Sequence, residues 1–197
     1  NGTTQLLFKY TILSGQTDTD GISIPINALA LNSSTLKSIY GPDFTITKAA
    51  VTSDSTYKVD TTPPSLSITS DRSVLNTGQT ATITFTFSED PGSTFAWDGT
   101  TGDIVLVGGI LGAISGSGLT RTATFTPTPN VASGIANISV LQGAYTDAAG
   151  NFGGAALTPV VAIYTSTATI SSVALSSATG ALNNTLNAGD VIFVKVV

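Results

Sequence analysis

The chain has 197 residues, of which only 10% are charged, with 7 Lys plus Arg against 12 Asp plus Glu and a formal net charge of −5. So few and scattered basic residues argue against nucleic acid and against an anionic membrane surface as partners. Cys, His and Met are all absent, which removes disulfides, thiolate chemistry, the commonest general base and the commonest transition-metal ligand.

In chain order the signals are almost all β. Leu6, Phe8, Tyr10 and Ile12 alternate with Leu7, Lys9 and Thr11, a pattern that predicts a half-buried strand. A Gly- and Asp-bearing turn over residues 15–21 leads into a second predicted strand at 22–26. Leu66 and Ile68 mark a further strand. Ala81, Ile83, Phe85 and Phe87 then face inward on the next, with Thr82, Thr84 and Thr86 outside. Strands are expected at 104–107, 121–126, 135–141 and 154–164, with Gly, Pro, Asn and Asp between them. About seven short strands at this spacing indicate an all-β sandwich of immunoglobulin type. Although mean hydropathy is positive, no apolar run approaches the ~18 residues of a spanning helix, so membrane insertion is not expected.

One stretch recurs. Leu75-Asn76-Thr77-Gly78-Gln79 before an alternating run is matched by Leu186-Asn187-Ala188-Gly189-Asp190 before Ile192-Phe193-Val194. The offset of ~110 residues is one small domain. The expected organisation is therefore tandem: residues 1–59 as the closing part of one sandwich, 60–166 as a complete one, and 167–197 as the opening strands of a third. Pro63 and Pro64 cannot continue a central strand and stiffen the boundary into an extended spacer.

Asp60-Thr61-Thr62-Pro63-Pro64, the run from Leu75 to Glu89, and Ala144-Tyr145-Thr146-Asp147-Ala148-Ala149-Gly150-Asn151 together resemble the bacterial Ig-like repeats of giant surface adhesins and biofilm-associated proteins. The resemblance implies an extracellular stalk on the bacterial surface or in its matrix, built with neighbouring Ig-like repeats and stiffened by Ca²⁺ at domain junctions. It places junction calcium among the loops that carry Asp60, Glu89, Asp147 and Asn151. Ca²⁺ takes six to eight oxygen ligands, usually gathered from loops; the competing reading is a plain Asx-type turn at Asp147 and Asn151, with Asp60 capping the linker. Asp90, beside Glu89, is a further candidate. Asp18 and Asp20 have a calcium-loop-like spacing but no downstream Glu, so a solvated turn is the expected reading and a metal site the secondary one.

Trp97, the only Trp, is a candidate for stacking on a sugar ring, or else a lid on the core. Asp98 and Asp103 are the nearest approach to a catalytic carboxylate pair, but nothing in their surroundings desolvates either, so no enzyme is expected. The alternative to a calcium-stiffened spacer is a head-to-tail homopolymer, a filament or sheath subunit. There Leu6, Phe8 and Tyr10 of one chain would pair with Ile192, Val194 and Val196 of another by strand complementation.

Overall fold

The computed structural model describes residues 7–33, 35, 37, 40–41, 45–158 and 160–167. Most of the strands belong to two sheets, and the alternation read from the sequence decides which side chains lie between them. One sheet is ordered β3-β5-β8-β7, from β3 (Leu66–Ser70), β5 (Ala81–Phe87), β8 (Thr120–Pro127) and β7 (Gly109–Leu111). The other runs from β6 (Ile104–Val107) through β9 (Gly134–Val140) to β10 (Ala156–Leu157) and β11 (Val161–Tyr164), and then to β4 (Val74–Asn76). In β5 the buried and solvent-facing residues alternate as expected, with Ala81, Ile83, Phe85 and Phe87 inside. They meet Ile104, Ala136, Ile138 and Val140 of the opposite sheet in one core. At about 25 cal/mol per Å² of apolar area removed from water, this core is the main source of stability.

Two features give the sandwich its topology. The first strand is split: β3 pairs antiparallel with β5, whereas β4 crosses over and pairs parallel with β11. The chain passes from β6 in one sheet to β7 in the other through Gly108, at φ +88°. A Cβ there would stand 2.4 Å from the Ile135 carbonyl oxygen, so both the backbone conformation and the close approach demand glycine. With β10 and β11 as one interrupted partner of β9, this is the seven-strand immunoglobulin arrangement. The predicted 154–164 strand is divided at Thr158. Its hydroxyl accepts the Ile138 N–H at 3.1 Å, taking a ladder position that a backbone carbonyl otherwise fills.

Residues 7–65 depart from expectation. Over residues 7–12 the predicted strand does not form, and Leu7, Phe8 and Tyr10 are exposed. Alternation specifies a face, but a strand needs a hydrogen-bonding neighbour, and none faces this segment among the described residues. The strand predicted at 22–26 is reduced to the bridge Ile24↔Val51 and bonds such as Ile22 N–H to Tyr57 O at 3.1 Å. A two-stranded ribbon without a covering layer is marginal. What does form is a short antiparallel pair, β1 (Thr17–Asp18) with β2 (Val59–Asp60), in which Thr17 lies opposite Asp60. Leu6, Ile192, Val194 and Val196 lie outside the described residues, as does the second copy of the recurring stretch.

Candidate functional site at the acidic pole

The end of the sandwich nearest β2 is assembled from three segments remote in sequence. Phe85, Phe87, Phe95 and Tyr145 form a buried aromatic cluster with centroid separations of 4.9–6.1 Å. Phe87 stands two residues before Glu89, and Tyr145 two residues before Asp147, so the packed rings anchor both carboxylate-bearing segments. The third segment, residues 60–65, is laced to them. Ser88 N–H donates to Ser65 O at 2.9 Å and Gly154 N–H to Pro64 O at 3.1 Å. In addition, Ser65 N–H donates to Ser88 Oγ at 2.8 Å.

This scaffold brings together three of the four principal metal candidates as carboxylates. One oxygen from each of Asp60, Glu89 and Asp147 lies within 4.8 Å of the other two. Asp147 is buried, Glu89 half-buried and Asp60 exposed. Asp147 sits in the turn its sequence promised, where Oδ1 accepts the N–H groups of Ala149 at 2.8 Å and Asn151 at 2.9 Å. Burial pushes its carboxyl upward. The Asn151 side-chain amide and the backbone N–H groups of Asn151, Ala149 and Gly150 outweigh that and hold it below the ordinary range. Glu89 goes the other way, pushed up first by burial and then by the charges of Asp60 and Asp147 and a hydrogen bond shared with Asp60. The pole is a concentration of negative charge; Lys58 lines the depression beside Asp60 and Glu89 but makes no ion pair with either. Among the described residues the one ion pair, Arg121 with Asp90 at 3.2 Å, lies elsewhere.

Asn151 plays a different part from the ligand expected of it. Its side-chain nitrogen, not its oxygen, is turned to the cluster, donating to Asp147 Oδ2 at 2.9 Å and to the Asp60 carbonyl at 3.2 Å. It ties the linker to the turn and is a positioning residue. Asp90 is also separate from the cluster: it accepts the Gly92 N–H at 2.9 Å and pairs with buried Arg121, and these contacts, the Gly92 N–H foremost, lower its pKa. Asp18 makes an Asx turn, accepting Asp20 N–H at 3.3 Å and Gly21 N–H at 2.8 Å. Asp18 also lines a shallow depression shared with Asp60 and Glu89, whereas Asp20 does not.

The other candidates are structural in their contacts. Trp97 is half-buried, packs on the core and donates its indole N–H to Leu111 O at 3.2 Å, the geometry of a core lid. Asp98 accepts four hydrogen bonds at 2.7–2.9 Å from the N–H and hydroxyl groups of Thr100 and Thr101. These hold its carboxyl far below the usual range, the Thr101 N–H contributing most. Asp103 accepts the Ala96 N–H at 2.7 Å. Both carboxylates fasten their own loop.

Sequence reasoning missed Thr94. Its hydroxyl oxygen lies 2.7 Å from Thr146 O and accepts the Thr146 N–H at 3.0 Å, bridging the loop after Glu89 to the turn of Asp147. In a chain so rich in Thr, nothing distinguishes this one by pattern. The donor set at the pole is oxygen only and carries three carboxylates, a chemistry that fits a hard divalent cation such as Ca²⁺ rather than a transition metal.

Comparison with protein families adds one finding: the family model described as bacterial Ig-like domain matches residues 60–163. Comparison with curated proteins found no match.

Proposed function

This chain belongs to the bacterial Ig-like domain family, and from that premise we propose that it is a non-enzymatic structural segment of a bacterial cell-surface adhesin or biofilm matrix protein. In this reading it acts as an extracellular spacer stiffened by Ca²⁺ at the junction that Asp60 marks. The observation that carries the reading is the convergence of Asp60, Glu89 and Asp147 to within 4.8 Å. One comes from the stretch that precedes the sandwich and two from its loops, so a single ion bound by all three joins linker to domain. Ca²⁺ supplies the neutralising charge when bound. The chain's own part is to hold the oxygens in place through Asn151, Thr94 and the Ser65–Ser88 pair, before any ion arrives. Glu89, destabilised as a bare anion by burial and its neighbours, gains most from the positive charge.

The test is a thermal melt in millimolar Ca²⁺ and in chelator, for the wild type and Asp147→Asn. An ion that binds only the folded state raises the midpoint by mass action. The reading expects such a rise in the wild type and its loss in the variant; equal midpoints in Ca²⁺ and chelator for the wild type overturn it.

The exposed Phe8, Tyr10 and Ile12, alternating and without a strand partner among the described residues, favour a second reading. In it another chain pairs with this segment and builds a filament. A midpoint and sedimentation coefficient that rise with protein concentration support it, and concentration-independent behaviour counts against it.

A further inference from the structure

An ion at the pole can stiffen the molecule only if Asp60 is itself fixed to what precedes it. The residue next to Asp60 supplies that connection. The Thr61 hydroxyl accepts the Gly15 N–H at 2.9 Å and donates to the Gln16 carbonyl at 2.9 Å. Its proton and a lone pair are thus both committed to one turn, 45 and 46 residues away in sequence. The same turn is closed by Gln16 N–H to Leu13 O at 3.2 Å and Leu13 N–H to Gln16 Oε1 at 2.7 Å. Immediately after it, Thr17 pairs with Asp60 in the β1–β2 register. On the other side of the peptide, the Asp60 carboxylate faces Glu89 and Asp147, and its carbonyl takes the Asn151 amide at 3.2 Å. Asp60 and Thr61 are therefore neighbours of which the first reaches the carboxylates of the sandwich and the second the turn of the preceding segment.

We propose that Thr61 is the coupling residue of this junction: its paired hydrogen bonds to Gly15 and Gln16 transmit the fixing of Asp60 by a cation into docking of residues 13–18. This rests on the calcium reading above. The β1–β2 pair is only two residues long on each side, and such a pair does not hold by itself. Between the two arms of the Thr61 clamp, donor and acceptor are both satisfied, so replacing the hydroxyl leaves two backbone groups without their partner. Coupling of this kind is reciprocal: whatever docks the 13–18 turn also favours ion binding.

The chain contains no Cys, so Ser53→Cys and Thr124→Cys place spin labels on the preceding segment and on the outer face of β8 without competing thiols. The width of the distance distribution is read in Ca²⁺ and in chelator, beside the thermal midpoint of the same samples. With free Ca²⁺ ten times Kd, openings that release the ion are suppressed about tenfold. The labelled parent should therefore narrow its distribution and raise its midpoint together. Thr61→Val should keep a rise in midpoint, reduced by the lost coupling, and lose the narrowing, and Thr61→Ser, which retains the hydroxyl, should restore both. Narrowing in Thr61→Val equal to the parent's overturns the inference, as does a parent whose midpoint rises without narrowing. A parent that shows neither response overturns the calcium reading itself, and the inference with it.

Discussion

Replacing Glu89 by Gln should change the sign of its effect with the ion. The three carboxylate oxygens lie within 4.8 Å of one another. Two unit charges at that separation repel by roughly 0.9 kcal/mol in water and by about 3.5 kcal/mol at an effective dielectric of about 20. Glu89 is half-buried and Asp60 exposed, so solvent screening places each pair toward the lower figure. Removing one charge relieves two pairs, and Glu89→Gln in chelator should be more stable than the wild type by about 1 kcal/mol, or roughly 5 °C for a domain of this size. In Ca²⁺ at a hundred times Kd the wild type gains about 2.7 kcal/mol. The variant, with two carboxylates left, forfeits most of that gain. Urea unfolding of both proteins in both buffers therefore gives curves that exchange order: variant above wild type in chelator, below it in Ca²⁺. Because Glu89's carboxyl is raised in the folded state, its contribution is favourable below its ordinary pKa and lost as pH rises through the folded value. The advantage of the variant in chelator should thus shrink between neutral pH and the ordinary carboxylate range. A variant that shifts by the same amount and sign in both buffers refutes the reasoning.

Other outcomes follow from the packing. Gly153→Ala puts a Cβ 2.2 Å from Tyr145 Cζ; since that ring is buried and cannot swing away, the expected cost is about 3 kcal/mol, read as a lower urea midpoint. Phe85→Ala removes a fully buried ring from the centre of β5 and should cost about 3–5 kcal/mol, read as a lower urea midpoint in chelator. Asp98→Ala loses a carboxylate whose pKa is lowered by the Thr101 and Thr100 hydrogen bonds. Wild type should melt above this variant at neutral pH, and the gap should close as pH falls below the ordinary carboxylate range.

The sandwich was legible because its strands bury one face: the Ala81, Ile83, Phe85, Phe87 alternation sorts core from solvent with no other information. The split first strand and β7 were not, since three-residue strands such as Val74–Asn76 and Gly109–Leu111 are too short to show a period and are defined by their partners. The segment from Phe8 to Ile12 shows the converse, a period of two with no neighbour to pair with among the described residues. At the pole, carboxylates can be picked from a chain that has so few, and turn chemistry drew attention to Asp147. The distances among Asp60, Glu89 and Asp147 were not visible, because they depend on the handedness and crossing of three segments. Nor were the roles of Thr61 and Thr94: in a surface built from hydroxyls, the ones that bridge segments look like all the rest. Asn151 was read from the sequence as a metal ligand, whereas its side-chain nitrogen donates to Asp147 and to the Asp60 carbonyl, an orientation that depends on where that carbonyl falls.

Titration calorimetry of the whole chain with Ca²⁺ tests the central claim most directly. The account predicts saturable binding of one ion at the pole, abolished by Asp147→Asn and unchanged by Asp90→Asn, whose side chain lies outside the cluster. Absence of binding heat at millimolar Ca²⁺, or binding that survives Asp147→Asn intact, would contradict it.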